Sequence, residues 1–141
     1  MTVLTPSARA VIESDRPAHL ITLNPDGSPQ VTLAWTGLEG DEIVIASLRH
    51  FRKLRNLERD PRVSLSFEGL GIHPIGLREY LVVHGIARVV PGGAFELLSR
   101  LADVYLGPGS GFPPDRDPQP GWITRIKPER LGGQGPWLRG E

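Results

Sequence analysis

The sequence predicts a mainly β (α+β) domain in which antiparallel strands close into a small barrel flanked by short helices. The first observation is that 17 Gly and 14 Pro in 141 residues separate short runs rich in β-branched residues, as turns separate strands. The second is that several of these runs follow one another through tight turns, which makes neighbouring strands antiparallel. The third is that five or six runs carry apolar residues on both faces, which favours a closed barrel.

Composition narrows the classes of function. Lys plus Arg and Asp plus Glu both number 16, so no overall charge attracts nucleic acid or an anionic membrane surface. The absence of cysteine excludes disulfides and thiolate metal sites and fits a cytoplasmic location. No apolar run approaches the roughly 18 residues of a membrane span, and the N-terminus lacks a secretory signal pattern. We expect one domain over residues 1–141.

The first elements are a short helix and a β-hairpin. Thr5 and Pro6 are typical of an N-cap and the first helical position. HLITL predicts a strand, and PDGS at 25–28 predicts the turn that follows it. QVTLAWT then alternates and predicts a second strand with two faces. We expect the core face to hold Val31, Leu33 and Trp35, and the opposite face to hold Gln30, Thr32 and Ala34.

A basic helix follows the next strand. GLEGDE predicts a turn and EIVIAS a central strand that is apolar on both faces. The spacing of Phe51, Leu54 and Leu57 predicts a helix with one apolar stripe. Its opposite face is expected to hold Arg52, Arg55, Asn56 and Arg59. Asp60-Pro61 ends this helix, because the residue before a proline disfavours the helical conformation.

Three further elements complete the barrel. RVSLSF predicts a strand, EGLGIHPIGLR a loop, and EYLVVHGIARVV a long strand with a bulge or bend at Gly85. AFELLSRLADVYL predicts an amphipathic helix. We expect its apolar face to hold Phe95, Leu98, Leu101 and Tyr105, with Leu97 and Ala102 flanking it. GWITRIKPERL predicts the last strand after a Pro- and Gly-rich loop.

The basic helix predicts an anion site at residues 47–53. A helix that follows a strand offers unpaired backbone N–H groups and the positive end of its dipole. Arg52 and Lys53 lie in its first turn. From there the planar guanidinium of Arg52 and the compact ammonium of Lys53 are both expected to reach the same anion. The alternative is a solvated helix face balanced by Glu58 and Asp60. Spacing alone leaves both interpretations open.

The turn NPDGSPQV, the strand EIVIAS and the block K-x-x-N-L-x-x-D-P-R-V-S at 53–64 carry a resemblance to a known family. The chain resembles the pyridoxamine-phosphate-oxidase-like split β-barrel family over about residues 5–137. Within it, VVHGIARVV and RIKPERLGGQGPW are similar to the branch of small oxidoreductases that use the deazaflavin coenzyme F-420. The resemblance therefore implies a six-stranded antiparallel split β-barrel of the FMN-binding type.

The resemblance also implies a homodimer that binds a flavin or deazaflavin between its subunits. Basic residues at the start of the short helix would hold the cofactor phosphate, which assigns Lys53 first and Arg52 second. Ser47 would line the same pocket, and the ring would lie along the second strand. Further implied cofactor contacts are Gln30, Thr32, Ala34, Arg55 and Trp137, although Trp137 would serve equally as a hydrophobic plug of the barrel end.

The implied reaction transfers a hydride from reduced coenzyme F-420 to an unsaturated small molecule, with the redox chemistry supplied by the cofactor. Catalytic residues are not assigned. The available proton donors are His73, Tyr80 and His84, while Asp115 and Asp117 in the Pro-rich loop are expected to point into solvent. FMN is the alternative cofactor. The FMN-using relatives that the chain resembles need more phosphate ligands than one Lys-Arg cluster, and only Arg78 and Arg88 are available for this, which favours the deazaflavin over FMN.

Two other classes compete with the reductase. A non-catalytic protein that binds or carries a flavin or deazaflavin would share the cofactor site. Nucleic-acid binding by the basic helix is disfavoured, because the helix is short and has no interleaved aromatic residues. No metal site is assigned, since His19 and His50 show no metal spacing with any carboxylate.

Overall fold

The structure is a computed structural model that describes residues 3–114 and 118–139. Its strands are β1 (Ala18–Leu23), β2 (Pro29–Ala34), β3 (Gly37–Glu39), β4 (Glu42–Ser47), β5 (Arg62–Ile72), β6 (Arg78–Pro91) and β7 (Trp122–Gln134). Its α-helices are α1 (Pro6–Ile12), α2 (Arg52–Arg59) and α3 (Ala94–Tyr105), and a 3-10 turn covers Pro136–Leu138. The acidic pair Asp115 and Asp117, singled out in the sequence, lies outside the described residues.

All seven strands form one antiparallel sheet in the order β2-β1-β5-β6-β7-β4-β3. The end strands β2 and β3 are joined by Trp35 and Thr36 alone. Three chain steps from Ala34 to Gly37 span at most about 11 Å, so the sheet must curl until its two ends meet. The result is a barrel that is split between β2 and β3. The predicted split β-barrel is confirmed.

The barrel interior is filled by side chains that alternate along the central strands. Residues exposed by 1% or less include Leu20, Leu65, Phe67, Leu81, Val83 and Ile126. α1 closes one end of this core with Ala8, Val11 and Ile12. Trp137 joins the same cluster, and its indole Nε1 donates to Gly132 O at 2.8 Å. Fully burying one large aliphatic side chain stabilises the fold by about 1.5–3 kcal/mol.

Several local predictions are confirmed. Thr5 Oγ1 accepts from Ala8 N at 3.3 Å at the start of α1, and Gly27 in the β1–β2 turn has φ 85°. The β6–β7 register shifts between His84 and Gly85. A Cβ atom at Gly85 would lie 2.5 Å from the Lys127 carbonyl oxygen, so the bulge requires glycine.

The two faces of β2 are reversed relative to the prediction. Val31 and Leu33 are 56% and 59% exposed, whereas Ala34 is 6% exposed. The alternation itself is correct, but a strand with period two gives no indication of which face is inward. Gln30, Thr32 and Ala34 therefore face the barrel. Trp35 is half-buried outside the main core.

The strand count was also wrong, six expected against seven among the described residues. The additional strand is β3, which lies where GLEGDE was expected to form only a turn; the turn is confined to Gly40 and Asp41. The predicted loop at 68–78 is shorter too. β5 continues through Ile72 with an irregular register, and Ile72 pairs with Arg78.

Both helices with predicted apolar faces differ in detail. On α2, Leu54 and Leu57 are buried as expected, but Asn56 is 1% exposed rather than solvent-facing. On α3, the buried face is centred on Leu97 and Leu101, next to Ala94 and Ala102. α3 packs chiefly on β4. Among the described residues, no helix is both long and apolar enough to cross a membrane.

Candidate functional site

α2 separates two concave surfaces of the molecule. Phe51 precedes the helix without a side-chain cap, so the first backbone N–H groups of α2 lack that partner. Consecutive residues on a helix point about 100° apart. Lys53 therefore lines one cavity while Arg52 lines another. The two basic residues predicted to share one anion lie in neighbouring sites.

The first site, which we call the Lys53 pocket, has a volume of about 280 Å³. It lies across the split of the barrel, because its walls come from the end of β2 and from β4. Its other wall comes from α3 and the loop after it. The lining residues are Leu33, Ala34, Trp35, Ile45, Ala46, Lys53, Leu98, Leu101 and Phe112. Lys53 is the one charged side chain among them.

The Lys53 ammonium is partly removed from water and has no carboxylate partner among residues 3–114 and 118–139. Burial lowers the pKa of Lys53 from its ordinary value, since a desolvated ammonium favours its neutral form. Its Nζ lies 5.6 Å from the centroid of the Phe51 ring. A bound anion would restore the interactions that this charge loses in the free protein.

Two predicted contacts contain buried hydroxyl groups with no hydrogen-bond partner. They are Thr32 Oγ1 on the inner face of β2 and Ser47 Oγ at the end of β4; Ser47 as a whole is 3% exposed. A buried, unpaired hydroxyl is costly, and such groups are uncommon outside functional sites. Thr32 and Ser47 do not line the Lys53 pocket themselves, but each lies on a strand, β2 or β4, that supplies part of its wall.

The second site, which we call the arginine groove, has a volume of about 680 Å³ and runs between α2 and the β1–β2 turn. Asn24, Pro25, Asp26 and Ser28 form one wall, and Arg52, Arg55, Asn56 and Arg59 form the other. Arg55 Nη1 donates to His50 O at 2.8 Å, and Arg59 Nη2 donates to Leu23 O. The groove is open and basic, which suits an extended anion.

The solvated-face alternative required Glu58 and Asp60 to balance the helix. Instead, Glu58 pairs with His50 at 2.8 Å and Asp60 pairs with Arg62 at 2.7 Å. In the described part of the chain, neither Arg52 nor Arg55 forms an ion pair. The positive face of α2 is therefore left without carboxylate partners.

Asn56 connects α2 to the β1–β2 hairpin, a role the sequence did not reveal. Its Nδ2 donates to Thr22 Oγ1 and Asn24 Oδ1, both at 3.1 Å, and to Gln30 Oε1 at 3.0 Å. Its Oδ1 accepts from Arg59 Nη2 at 3.2 Å. Gln30 is thus part of a network beside the arginine groove. The sequence signal for this role is that Asn56 directly precedes Leu57 of the apolar stripe, which places it at the edge of the buried face of α2.

An aromatic wall beside the Lys53 pocket was also missed. Trp35 and Tyr105 stack at 5.1 Å with planes 6° apart, and Phe112 meets Trp35 edge-on at 5.9 Å. Tyr105 Oη also accepts from Thr36 N at 3.1 Å. Stacking at this distance contributes about 0.5–1.5 kcal/mol beyond burial. The wall joins α3 to the two residues that connect β2 and β3.

The remaining predicted residues lie elsewhere. Trp137 is in the core and lines neither of the two sites, which supports the plug interpretation. His84 is half-buried and its Nδ1 lies 2.8 Å from Ser64 Oγ, beside a separate cavity of about 370 Å³. Arg88 pairs with Glu42 of β4 and lines neither of the two sites. Tyr80 lines a fourth cavity, described below.

Comparison with known proteins agrees with the split-barrel fold. The model of the family described as pyridoxamine 5'-phosphate oxidase matches residues 4–134. An F420 reductase of known structure is 27% identical, with a TM-score of 0.73, and the match covers 93% of this chain and 100% of that chain. A conserved hypothetical protein from Mycobacterium tuberculosis is 26% identical, with a TM-score of 0.73 and coverage of 99% and 91%.

A more distant structure shows the fold alone. HutZ, the heme storage protein of Vibrio cholerae, is 20% identical, with a TM-score of 0.64 and 96% of both chains covered. No curated protein matches the sequence. The family model spans nearly the whole chain, and the split barrel is the fold of these structures. The chain therefore belongs to the pyridoxamine 5'-phosphate oxidase family.

Proposed function

We propose that this protein is an oxidoreductase that binds coenzyme F-420 and transfers a hydride to an unsaturated small molecule. The observation that carries the proposal is the Lys53 ammonium, which is partly desolvated and has no carboxylate partner in a pocket across the split of the barrel. An unpaired cation in such a place fits the phosphate of a cofactor. The likeness to the F420 reductase supports the deazaflavin over FMN.

The proposed contacts divide between the two sites on either side of α2. Lys53 and the uncapped N-terminus of α2 hold the phosphate, as helix N-termini do elsewhere. Ser47 Oγ and Thr32 Oγ1, buried without partners, provide hydrogen bonds to the ligand. Ala34, next to Lys53 in the pocket, leaves room for a flat ring because its side chain is small.

The arginine groove is the proposed site for the carboxylate-rich tail of coenzyme F-420. Arg52 lines it without an ion pair among the described residues, and Arg55 and Gln30 lie beside it. Guanidinium groups bind carboxylates with two parallel hydrogen bonds. FMN has no such tail, so the groove gives a physical reason to prefer the deazaflavin.

The bound cofactor supplies the hydride, and the chain supplies position and environment. The aromatic wall of Trp35, Tyr105 and Phe112 bounds the Lys53 pocket on the side of α3. We assign no catalytic acid or base from this site.

The proposed assembly is a homodimer. Val31 and Leu33 on the outer face of β2 are more than half exposed, and Tyr80 and Ile86 on the same side of the sheet are 48% and 38% exposed. Apolar side chains grouped on one sheet face are typical of an interface. The single-domain organisation over residues 1–141 and the cytoplasmic location stay predictions.

The experiment is a fluorescence titration of the purified protein with coenzyme F-420 and, in parallel, with FMN. We expect tighter binding of coenzyme F-420. Lys53→Ala should weaken it by about 1.5–3 kcal/mol, or roughly tenfold to a hundredfold. Lys127→Ala is the matched control, because Lys127 is an exposed lysine on β7. Equal affinity of the Lys53 and Lys127 variants would remove the phosphate assignment.

The arginine groove has its own test in the same titration. Arg52→Ala should weaken coenzyme F-420 more than FMN, since only coenzyme F-420 carries the tail. Equal losses for the two ligands would mean that Arg52 contacts a group common to both. Binding of coenzyme F-420 without any oxidation of the reduced form by an added enone would favour the carrier function over the reductase.

A further inference from the structure

A second cavity adjoins the Lys53 pocket, and Leu33 lines both. We call it the His19 pocket. It has a volume of about 300 Å³ and lies on the outer face of the sheet, next to the proposed subunit interface that Leu33 and Tyr80 also border. None of the predicted cofactor contacts lines it. Its lining residues are Arg16, Pro17, His19, Leu33, Ser66, Phe67, Glu68 and Tyr80.

The strand register places its polar side chains together. His19 on β1 pairs with Leu33 on β2 and with Ser66 on β5, so these three form one row across the sheet. Directly opposed side chains have Cβ atoms about 4.5–5.5 Å apart. Tyr80 pairs with Glu68, two positions along β5 from Ser66, and is diagonal to Ser66 on the same face.

Three polar side chains of this pocket have no hydrogen-bond partner among the described residues. In residues 3–114 and 118–139, no hydrogen bond engages the side chains of His19, Ser66 or Tyr80. The one carboxylate, Glu68, faces Arg16 Nη1 at 3.4 Å, and that guanidinium also donates to Gly69 O at 3.1 Å. These hydroxyl and imidazole groups can donate as well as accept, and the one carboxylate is engaged, so the pocket suits a neutral polar ligand with an acceptor such as a carbonyl oxygen.

We propose that the His19 pocket binds the carbonyl end of the substrate, an α,β-unsaturated ketone or ester of small size. This inference rests on the proposed function, since it places the substrate beside the cofactor pocket with Leu33 between them. Ser66 and Tyr80 donate hydrogen bonds to the carbonyl oxygen, which draws electrons from the conjugated bond. Leu33 and Pro17 contact the hydrocarbon part.

The test uses the cofactor-free full chain and cyclohex-2-enone as the probe. Backbone amide chemical shifts of ¹⁵N-labelled protein are followed during the titration. We expect the largest changes at residues 19, 66 and 80, and none with cyclohexene, which has the ring and the double bond but no carbonyl. Largest changes at Lys53 or near Ser64 and His84, or equal changes with cyclohexene, would overturn the inference.

Two variants and one control sharpen this test. Ser66→Ala and Tyr80→Phe should each weaken cyclohex-2-enone about threefold to tenfold, the expected loss of one neutral hydrogen bond. Ser99→Ala, on α3 and away from the cavity, should leave the affinity unchanged. Tyr80 is about half exposed, so its loss of one hydroxyl group should not affect folding, and the amide spectrum checks this directly. Unchanged affinity in both variants would overturn the inference.

A parallel titration with coenzyme F-420 separates the two proposals. We expect Ser66→Ala and Tyr80→Phe to bind it as the unsubstituted protein does. If the unsubstituted protein binds no coenzyme F-420 but cyclohex-2-enone still shifts residues 19, 66 and 80, the proposed function fails and the carbonyl site stands. If the cofactor binds and the enone shifts none of these residues, the carbonyl site fails alone.

Discussion

Asn56 Nδ2 lies 3.0 Å from Gln30 Oε1, and this contact joins the basic helix to the strand that borders the split of the barrel. The same nitrogen donates to Thr22 and Asn24. Because Asn56 is 1% exposed, water cannot replace these hydrogen bonds. The Asn56 amide therefore helps to fix the position of α2, and with it of both candidate sites, together with the buried Leu54 and Leu57.

Asn56→Asp should therefore destabilise the protein strongly. The substitution replaces the donor with a charged oxygen that faces two amide oxygens, Asn24 Oδ1 and Gln30 Oε1, while the Thr22 hydroxyl alone can turn to donate to it. The expected cost is about 3 kcal/mol. Urea denaturation of the two proteins gives the difference in free energy of unfolding. Asn24→Ala, which removes one of the three acceptors at the exposed edge, should cost about 1 kcal/mol or less. Equal midpoints for the Asn56→Asp variant and the unsubstituted protein would contradict the network.

Thr32→Val and Thr22→Val should have opposite effects on stability. Thr32 Oγ1 is buried without a partner, so an apolar replacement of the same shape should stabilise the free protein by up to about 1 kcal/mol. Thr22 Oγ1 accepts from Asn56, so its replacement should destabilise by about 1–2 kcal/mol. Thermal unfolding of the ligand-free variants measures both. Destabilisation by Thr32→Val would mean that its hydroxyl already has a partner.

Binding of a phosphate-bearing cofactor should weaken in alkaline solution. Burial lowers the pKa of Lys53 below the ordinary lysine value of 10.5, so its charge is lost at a lower pH than that of an exposed lysine. The same shift makes folding more favourable as pH rises through this range, because the unfolded state binds the extra proton. Affinity is measured from about pH 7 to about pH 10.

Lys53→Arg provides the comparison for this pH dependence. Arginine keeps its charge throughout the range, so the decline in affinity should disappear even if the starting affinity is lower. An identical decline in both proteins would assign it to another group. Lys127→Arg, which keeps Lys53, should show the same decline as the unsubstituted protein.

Asp60 should contribute to stability at neutral pH and not in strong acid. Hydrogen bonds from the side chain and backbone of Arg62 lower the pKa of Asp60 from 3.8 to about 2. A lowered carboxyl pKa adds stability above the unfolded value, and this is lost as pH falls through the folded value. The urea midpoints of Asp60→Asn and the unsubstituted protein should therefore differ at neutral pH and converge near pH 2. A constant difference would exclude ionisation as its cause.

Elements with strong local signals could be predicted from the sequence. Thr5-Pro6, PDGS and Gly85 each need a specific residue type at one backbone position, and the structure has the expected feature at each. β3 was missed because a strand of three residues is too short to show the alternation of apolar and polar residues that identifies a strand. The faces of β2 were reversed because Val31 and Leu33 are apolar yet outward, a pattern that tertiary contacts decide.

The candidate site was predicted as a set of residues but not as an arrangement. Lys53 on α2 and Ala34 on β2 line the same pocket although they are far apart in sequence, whereas Ser47 does not line it. Arg52 and Lys53 were expected to hold one anion, yet they line different sites, since adjacent helical residues diverge by about 100°. Asn56 was expected outside because it is polar. Its partners come from the β1–β2 hairpin. The apolar periodicity of a helix carries no information about polar partners on other elements.

The split of the barrel has a consequence for how a ligand changes the motions of the protein. Elsewhere each strand is held by hydrogen bonds on both sides, but β2 and β3 each have one bonded neighbour. A ligand in the Lys53 pocket contacts Ala34 at one end of the sheet and Ala46, beside the other end. Occupancy would therefore slow the local opening of these edges, so amide hydrogen exchange in β2 and β3 would slow more than in β5 or β6. The bound molecule would connect the two ends of the sheet, which no hydrogen bonds between β2 and β3 connect.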